Sequence, residues 1–328
     1  MTTSRTLTEP PADRSDQGPV MRRSLILLSL GLALLLVAGV LIGSKLYLKQ
    51  LNNQPVALTE LPSPEADSQE CAALVDSLPK TLAGHSRVEL AAPAPAGAAV
   101  WQSSSAERVT LRCGVDAPLQ FTELTPTETI AGAQWMKVRD PAPGANLTTW
   151  FTVDRSPVVA VTAEDAALNG RPSPVEDLDV GALHATEPNP GKAPLADLES
   201  AADDASGAVC RDLIAALPQE LTDAYSRIDV SSVDGLGAAS AAWSADGFDP
   251  VVLKCGVAPP PSYAPGAQLT QVNGIPWFEE PDGDRTVPAT VLYALGRAAK
   301  IAVFLPAGIG DGALTAVSNA IQQNVPAQ

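Results

Sequence analysis

Four cysteines, five tryptophans and two histidines stand out among the 328 residues. Thiols can form disulfides, bind metal or attack as nucleophiles. Indoles stack on sugars and peptides, and imidazoles move protons. Spacing sorts these options. Cys71, Cys113, Cys210 and Cys255 form no close Cys or His pairs of the kind metal sites show. His85 and His184 are isolated from one another, and no Gly-x-Ser-x-Gly, His-Glu-x-x-His or Gly-rich phosphate loop occurs. The chain reads as a non-enzyme without metal or cofactor.

Four residues remain as candidate ligand contacts. Trp135 and Trp277 each follow a Gly-x-x turn, where side chains are often presented to solvent. Arg155 and Arg297 sit in later turns, where a planar guanidinium can clamp a carboxylate or phosphate. Each has a structural reading beside it: an indole packed in the core, an arginine paired with a nearby acid. Trp101 and Trp243 read as core.

The formal net charge is −16, which argues against nucleic acid as a partner, because phosphate binding needs clustered Lys and Arg. Apolar residues make up 45% of the chain, enough for folded cores.

Self-similarity organises the rest. Cys71-Ala72-Ala73-Leu74-Val75-Asp76-Ser77-Leu78-Pro79 recurs as Cys210-Arg211-Asp212-Leu213-Ile214-Ala215-Ala216-Leu217-Pro218, 139 residues on. Trp101, Cys113, Gly114, Val115, Trp135 and Arg155 recur as Trp243, Cys255, Gly256, Val257, Trp277 and Arg297, all 142 residues on. The chain is a tandem duplication.

Within a copy, Cys71, Leu74, Val75 and Leu78 form one helical stripe, with Ser68 as N-cap and Pro79 as terminator. Val109, Leu111 and Cys113 alternate with Thr110 and Arg112 as a half-buried strand. Further strands surround Trp135 and Trp277, and hairpins join Thr148–Val153 to Val158–Thr162 and Val291–Leu295 to Lys300–Leu305. Asp311–Gln323 closes the second copy as a helix, without a clear counterpart in the first. The fold class is α+β, each copy a helix on a small antiparallel sheet. Four cysteines allow three pairings. The inward direction of both cysteines of a copy favours Cys71–Cys113 and Cys210–Cys255, two disulfide-stapled domains.

Leu25–Ile42 is an uncharged apolar run, long enough with its flanks to cross a bilayer as one helix over residues 24–44. It is longer than a signal-peptide core, and Ser44-Lys45-Leu46-Tyr47 is a poor cleavage site. Arg5, Arg14, Arg22 and Arg23 before it, against Lys45 and Lys49 after it, place the N-terminus in the cytoplasm. The expected order is a disordered cytoplasmic tail (1–23), the transmembrane helix (24–44), a stalk (45–68), the first repeat (69–163), an acidic linker (164–206) and the second repeat (207–325). The linker carries ten acidic and two basic residues and reads as an extended connector with a short helix near Pro194–Ala205.

Cys-x-x-Leu-x-x-x-Leu-Pro, then Trp, then Arg112-Cys113-Gly114-Val115 or Lys254-Cys255-Gly256-Val257, then Gly-x-x-Trp and a turn Arg, resembles a family of actinobacterial envelope proteins of unknown function that carry a membrane or lipid anchor. The resemblance covers residues 70–163 and 209–325 and implies an actinobacterial source and an extracytoplasmic location. The expected function is that of a membrane-tethered interaction or accessory protein of the cell envelope, working with other envelope proteins or cell-wall components. The second expectation is a binder of a glycan, peptide or lipid through the paired Trp and Arg positions.

Overall fold

The structure is a computed structural model that describes residues 23–52, 55–201, 206–281 and 288–328. Most of the expected tail, residues 1–22, lies outside them. Two compact units make up the chain, residues 1–54 and 55–328. The first contains helix α1 (Arg23–Asn52), in which Leu27–Lys45 is long and apolar enough to cross a membrane.

The second unit holds both copies. The first contains α2 (Gln69–Ser77), β1 (Thr81–Leu82), β2 (His85–Val88), β3 (Ala98–Gln102), β4 (Arg108–Val115), β5 (Thr127–Ile130), β6 (Ala133–Arg139), β7 (Leu147–Thr152), β8 (Arg155–Ser156), β9 (Val158–Glu164) and β10 (His184–Ala185). The second contains α3 (Ser206–Ala216), β11 (Glu220–Thr222), β12 (Tyr225–Ile228), β13 (Ser240–Ala245), β14 (Phe248–Cys255), β15 (Thr270–Val272), β16 (Ile275–Glu280), β17 (Ala289–Ala294), β18 (Ile301–Pro306) and α4 (Asp311–Asn324). Each forms an antiparallel sheet of eight strands, in the order β1-β2-β3-β4-β9-β7-β6-β5 and β11-β12-β13-β14-β18-β17-β16-β15. The architecture is α+β, mostly sheet, in two repeated domains. The sheets are larger than the sequence suggested, because β1, β2 and β5 have only two to four residues and too short a pattern to read.

Helix α2 starts where Ser68 Oγ accepts the Cys71 N–H at 3.2 Å. Its buried stripe of Cys71 and Leu74 faces Leu111 and Cys113 of β4 in one core. Cys71 bonds Cys113 and Cys210 bonds Cys255, with Cα separations of 5.5 and 5.6 Å.

The copies differ in how they close. In the second, α4 packs on α3 and reaches β15 and β16. In the first, 3-10 turns at Asp165–Leu168 and Val175–Asp177 occupy the corresponding sequence. Gly170, Pro172 and Pro174 deny that stretch a helix. It still closes the core, since Val175, Leu178, Val180 and Leu183 are buried there. This corrects the expectation of an extended connector. The acids between these apolar residues face outward, so their charge concealed the burial. Pro194–Ala201 forms turns and a bridge rather than a helix, and Ala193 and Leu195 pack against the outer face of the second sheet.

The Arg/Lys-Cys-Gly-Val motif seats an incoming strap. In copy one, Glu65 N donates to Gly114 O and Arg112 donates to Thr59 O. In copy two, Ala201 N donates to Gly256 O, and Lys254 Nζ donates to the carbonyls of Leu195, Ala196, Leu198 and Gly235 at 2.7–3.3 Å. Gly114 has φ +80°, and a Cβ there would lie 2.3 Å from the Glu65 carbonyl carbon. Gly114→Ala should therefore cost more than about 2 kcal/mol, from strain plus backbone displacement. Urea unfolding checks it; a change below about 0.5 kcal/mol, ordinary for an innocuous surface substitution, would show that the strap moves freely.

Candidate functional site

The two copies meet in a groove beside the end of β6. The Arg139 N–H donates to Gly247 O at 2.7 Å, so β6 is stitched to the β13–β14 turn. Gly247 is obligatory: its φ is +79°, and a Cβ would meet Arg139 Cγ at 2.7 Å. Lys137 Nζ reaches both Asp246 oxygens at 2.8 and 2.9 Å, and Arg139 lies 3.5 Å from one of them. Leu124 of copy one joins the outer core of copy two.

Two hollows flank the Lys137–Asp246 pair. One, of about 80 Å³, lies between Met136 and Val138 on one side and Phe248, Asp249 and Pro306 on the other. The second, of about 120 Å³, is lined by Glu128, Ile130, Trp135, Lys137, Trp150 and Asp246, among others.

Burial pushes the Asp249 carboxyl up to about 6. Tyr225, whose hydroxyl donates to the Asp249 carbonyl at 3.0 Å, is held well above its usual value, by burial first and the Asp249 charge second. The sign for stability follows. The folded state binds the Asp249 proton more tightly than the unfolded chain does, so stability falls as pH rises from about 4 to 6 and the penalty is complete above that. Because the carboxyl is partly solvated, the penalty is discounted to about 1–2 kcal/mol. Asp249→Asn should be more stable than the parent by that amount at pH 7.5 and by little at pH 4, measured by urea unfolding at both. An equal difference at the two values would remove Asp249 as the titrating group.

The four candidate contacts are engaged by the protein. Trp135 and Trp277 are 2% and 1% exposed, and their Nε1 atoms donate to Ile130 O and Ser318 Oγ. Arg155 pairs with the Asp154 carboxylate at 2.8 Å and donates to Gly132 O. Arg297 donates to Val325 O and Gly274 O at 3.1 and 3.3 Å. The arginines thus tie a late turn to the Gly-x-x-Trp turn of the same copy, which accounts for the constant Trp-to-Arg interval. Both indoles are buried in the core, and Trp135 lines the hollow of about 120 Å³. Trp101 and Trp243 are fully buried.

His85, isolated in sequence, is held between Ser103 Oγ on Nδ1 and Ala167 O on Nε2, at 2.8 and 2.7 Å. Because Ala167 O can only accept, Nε2 carries a proton, and Nδ1 shares a hydrogen bond with the Ser103 hydroxyl. Among the described residues, no group of three His, Cys, Asp or Glu side chains could hold a metal ion.

Sequence reading missed Lys137, Trp150, Asp246 and Asp249. The available signal was disagreement between copies: at the offset of 142, Lys137 meets Glu279 and Trp150 meets Leu292.

A family described as protein of unknown function, DUF3515, matches residues 30–190 and again residues 179–328. The chain belongs to the DUF3515 family. A search of curated proteins returns no match. The two DUF3515 matches overlap at residues 179–190, within the segment that closes the first core and leads to the second.

Proposed function

We propose that this DUF3515 chain is a membrane-tethered accessory protein of an actinobacterial cell envelope. Helix α1 is its single-pass anchor, the N-terminus is cytoplasmic, and both domains lie outside. The observation that carries this reading is one apolar helix followed by domains stapled by two disulfides, bonds that persist in oxidising compartments. The interlocked copies favour a rigid, non-catalytic scaffold for other envelope proteins or cell-wall components. Cross-linking in native membranes should recover a defined envelope partner, and protease added outside should digest both domains. Turnover of a cell-wall substrate that one side-chain change abolishes would overturn the scaffold reading.

The groove between the copies favours a second reading, that of a binder of a glycan, peptide or lipid. Its contacts would be residues that line the two hollows beside the Lys137–Asp246 pair rather than Trp277 and the paired arginines. Equilibrium binding of envelope fragments to the full chain, weakened by Phe248→Ala without loss of thermal stability, is the result expected from it.

A further inference from the structure

Four of the five tryptophans give their indole N–H to an oxygen of the protein: Trp101 to Pro79 O, Trp135 to Ile130 O, Trp243 to Pro218 O and Trp277 to Ser318 Oγ. Trp150 does not. Its Nε1 is sealed from solvent and meets no acceptor among the described residues. The side chain is 2% exposed and borders the hollow of about 120 Å³. A buried donor without an acceptor is costly, and native proteins keep few of them.

Folding does not require this donor. The same sheet position in copy two is Leu292, which opposes Val303 as Trp150 opposes Val161 and packs in the core. The cross-strand neighbour changes with it, from Lys137 opposite Trp150 to Glu279 opposite Leu292. The polar donor thus occurs in the copy that lacks the closing helix.

Lys137 lines the same hollow. It lies directly across the ladder from Trp150 on the same face, and its ammonium is held by Asp246 of the other copy. That ion pair is weak, because its Asp246 end is 65% exposed. When the lysine swings aside, an acceptor from outside can reach the indole N–H.

The walls select the acceptor. The lining carries two carboxylates, Glu128 and Asp246, and one ammonium, Lys137, so an anion is disfavoured. A neutral ligand with only an acceptor would leave Glu128 unused. A secondary amide matches both ends of the hollow. We propose that it binds a neutral secondary amide, whose carbonyl accepts from Trp150 Nε1, whose N–H donates to Glu128, and whose carbon substituents lie against Trp135 and Ile130. This deepens the ligand reading and rests on it. The amide can come from an N-acetylated sugar or from an acylated peptide.

The test uses the full chain in detergent micelles with nitrogen-15-labelled tryptophan. Its five indole resonances are followed as N-acetylglucosamine, N-acetylalanine methylamide or acetate is added at millimolar concentration. Trp150→Phe assigns the reporting resonance. Either amide should move the Trp150 resonance while acetate leaves it in place, and the stronger amide identifies the source. Trp150→Phe should keep or raise the melting temperature and abolish amide binding measured by calorimetry. A Trp150 resonance unmoved by both amides, or moved equally by acetate, overturns the proposal. Amide binding by calorimetry that persists undiminished in Trp150→Phe would overturn this hollow while retaining a ligand elsewhere in the groove.

Discussion

Lys254→Met should destabilise the protein by about 3–5 kcal/mol, the range for removing one partner of a buried charged contact. Lys254 is 6% exposed, and its ammonium donates to four backbone carbonyls. Burial lowers its pKa, and the Asp197 charge offsets part of that. Methionine fills much of the same volume but leaves those carbonyls without the cation, and three of them belong to the strap between the copies. The matching change in copy one, Arg112→Met, should cost only about 0.5–1 kcal/mol, since that guanidinium is half-exposed and its hydrogen bond reaches a single exposed carbonyl. Urea unfolding of the two variants side by side measures the contrast. Equal small losses would show that the strap is held by the apolar contacts of Ala193 and Leu195 alone.

The same asymmetry marks what the sequence could disclose. Helices α2 and α3, strand β4 and the β7–β9 and β17–β18 hairpins were legible, because each repeats a period long enough to recognise. The packing of the copies was written more faintly. Thr110, Thr149 and Thr162 on the outer face of the first sheet correspond to Val252, Val291 and Phe304 in the second. Strand β14 is buried almost throughout and β18 throughout, whereas β4 alternates. A strand apolar on both faces must be covered on both, so copy two needs a second layer. The strap supplies part of it through Leu195, and copy one adds Leu124. The strap itself was illegible because Asp197 and Glu199 interrupt the few apolar residues that anchor it. The site was harder still. Trp150 looks like core by type, and only a missing acceptor sets it apart. Lys137 and Asp246 are 109 residues apart, and only the folded chain brings them together.

Cys210→Ser with Cys255→Ser should cost about 4 kcal/mol, and so should Cys71→Ser with Cys113→Ser, if the bridges act by restricting the unfolded chain. The bonded residues are 45 and 42 apart, so loop closure alone predicts nearly equal losses. Native packing predicts a difference. In copy two the disulfide joins α3 to β14 beneath α4, and the apolar face of α4 remains in place when the bond is removed. In copy one the closing segment has no α-helix and offers less support. The native state of copy one should therefore loosen further, making its measured loss the larger. Differential scanning calorimetry of both double variants separates the accounts. A loss confined to one transition would mean that the copies unfold independently. A single transition lowered in both variants would mean that the strap, Lys254 and the Lys137–Asp246 pair couple them into one cooperative unit. A loss below about 1 kcal/mol in either variant would mean that the sheet already restrains the loop, and that the bond guards against local opening rather than global unfolding.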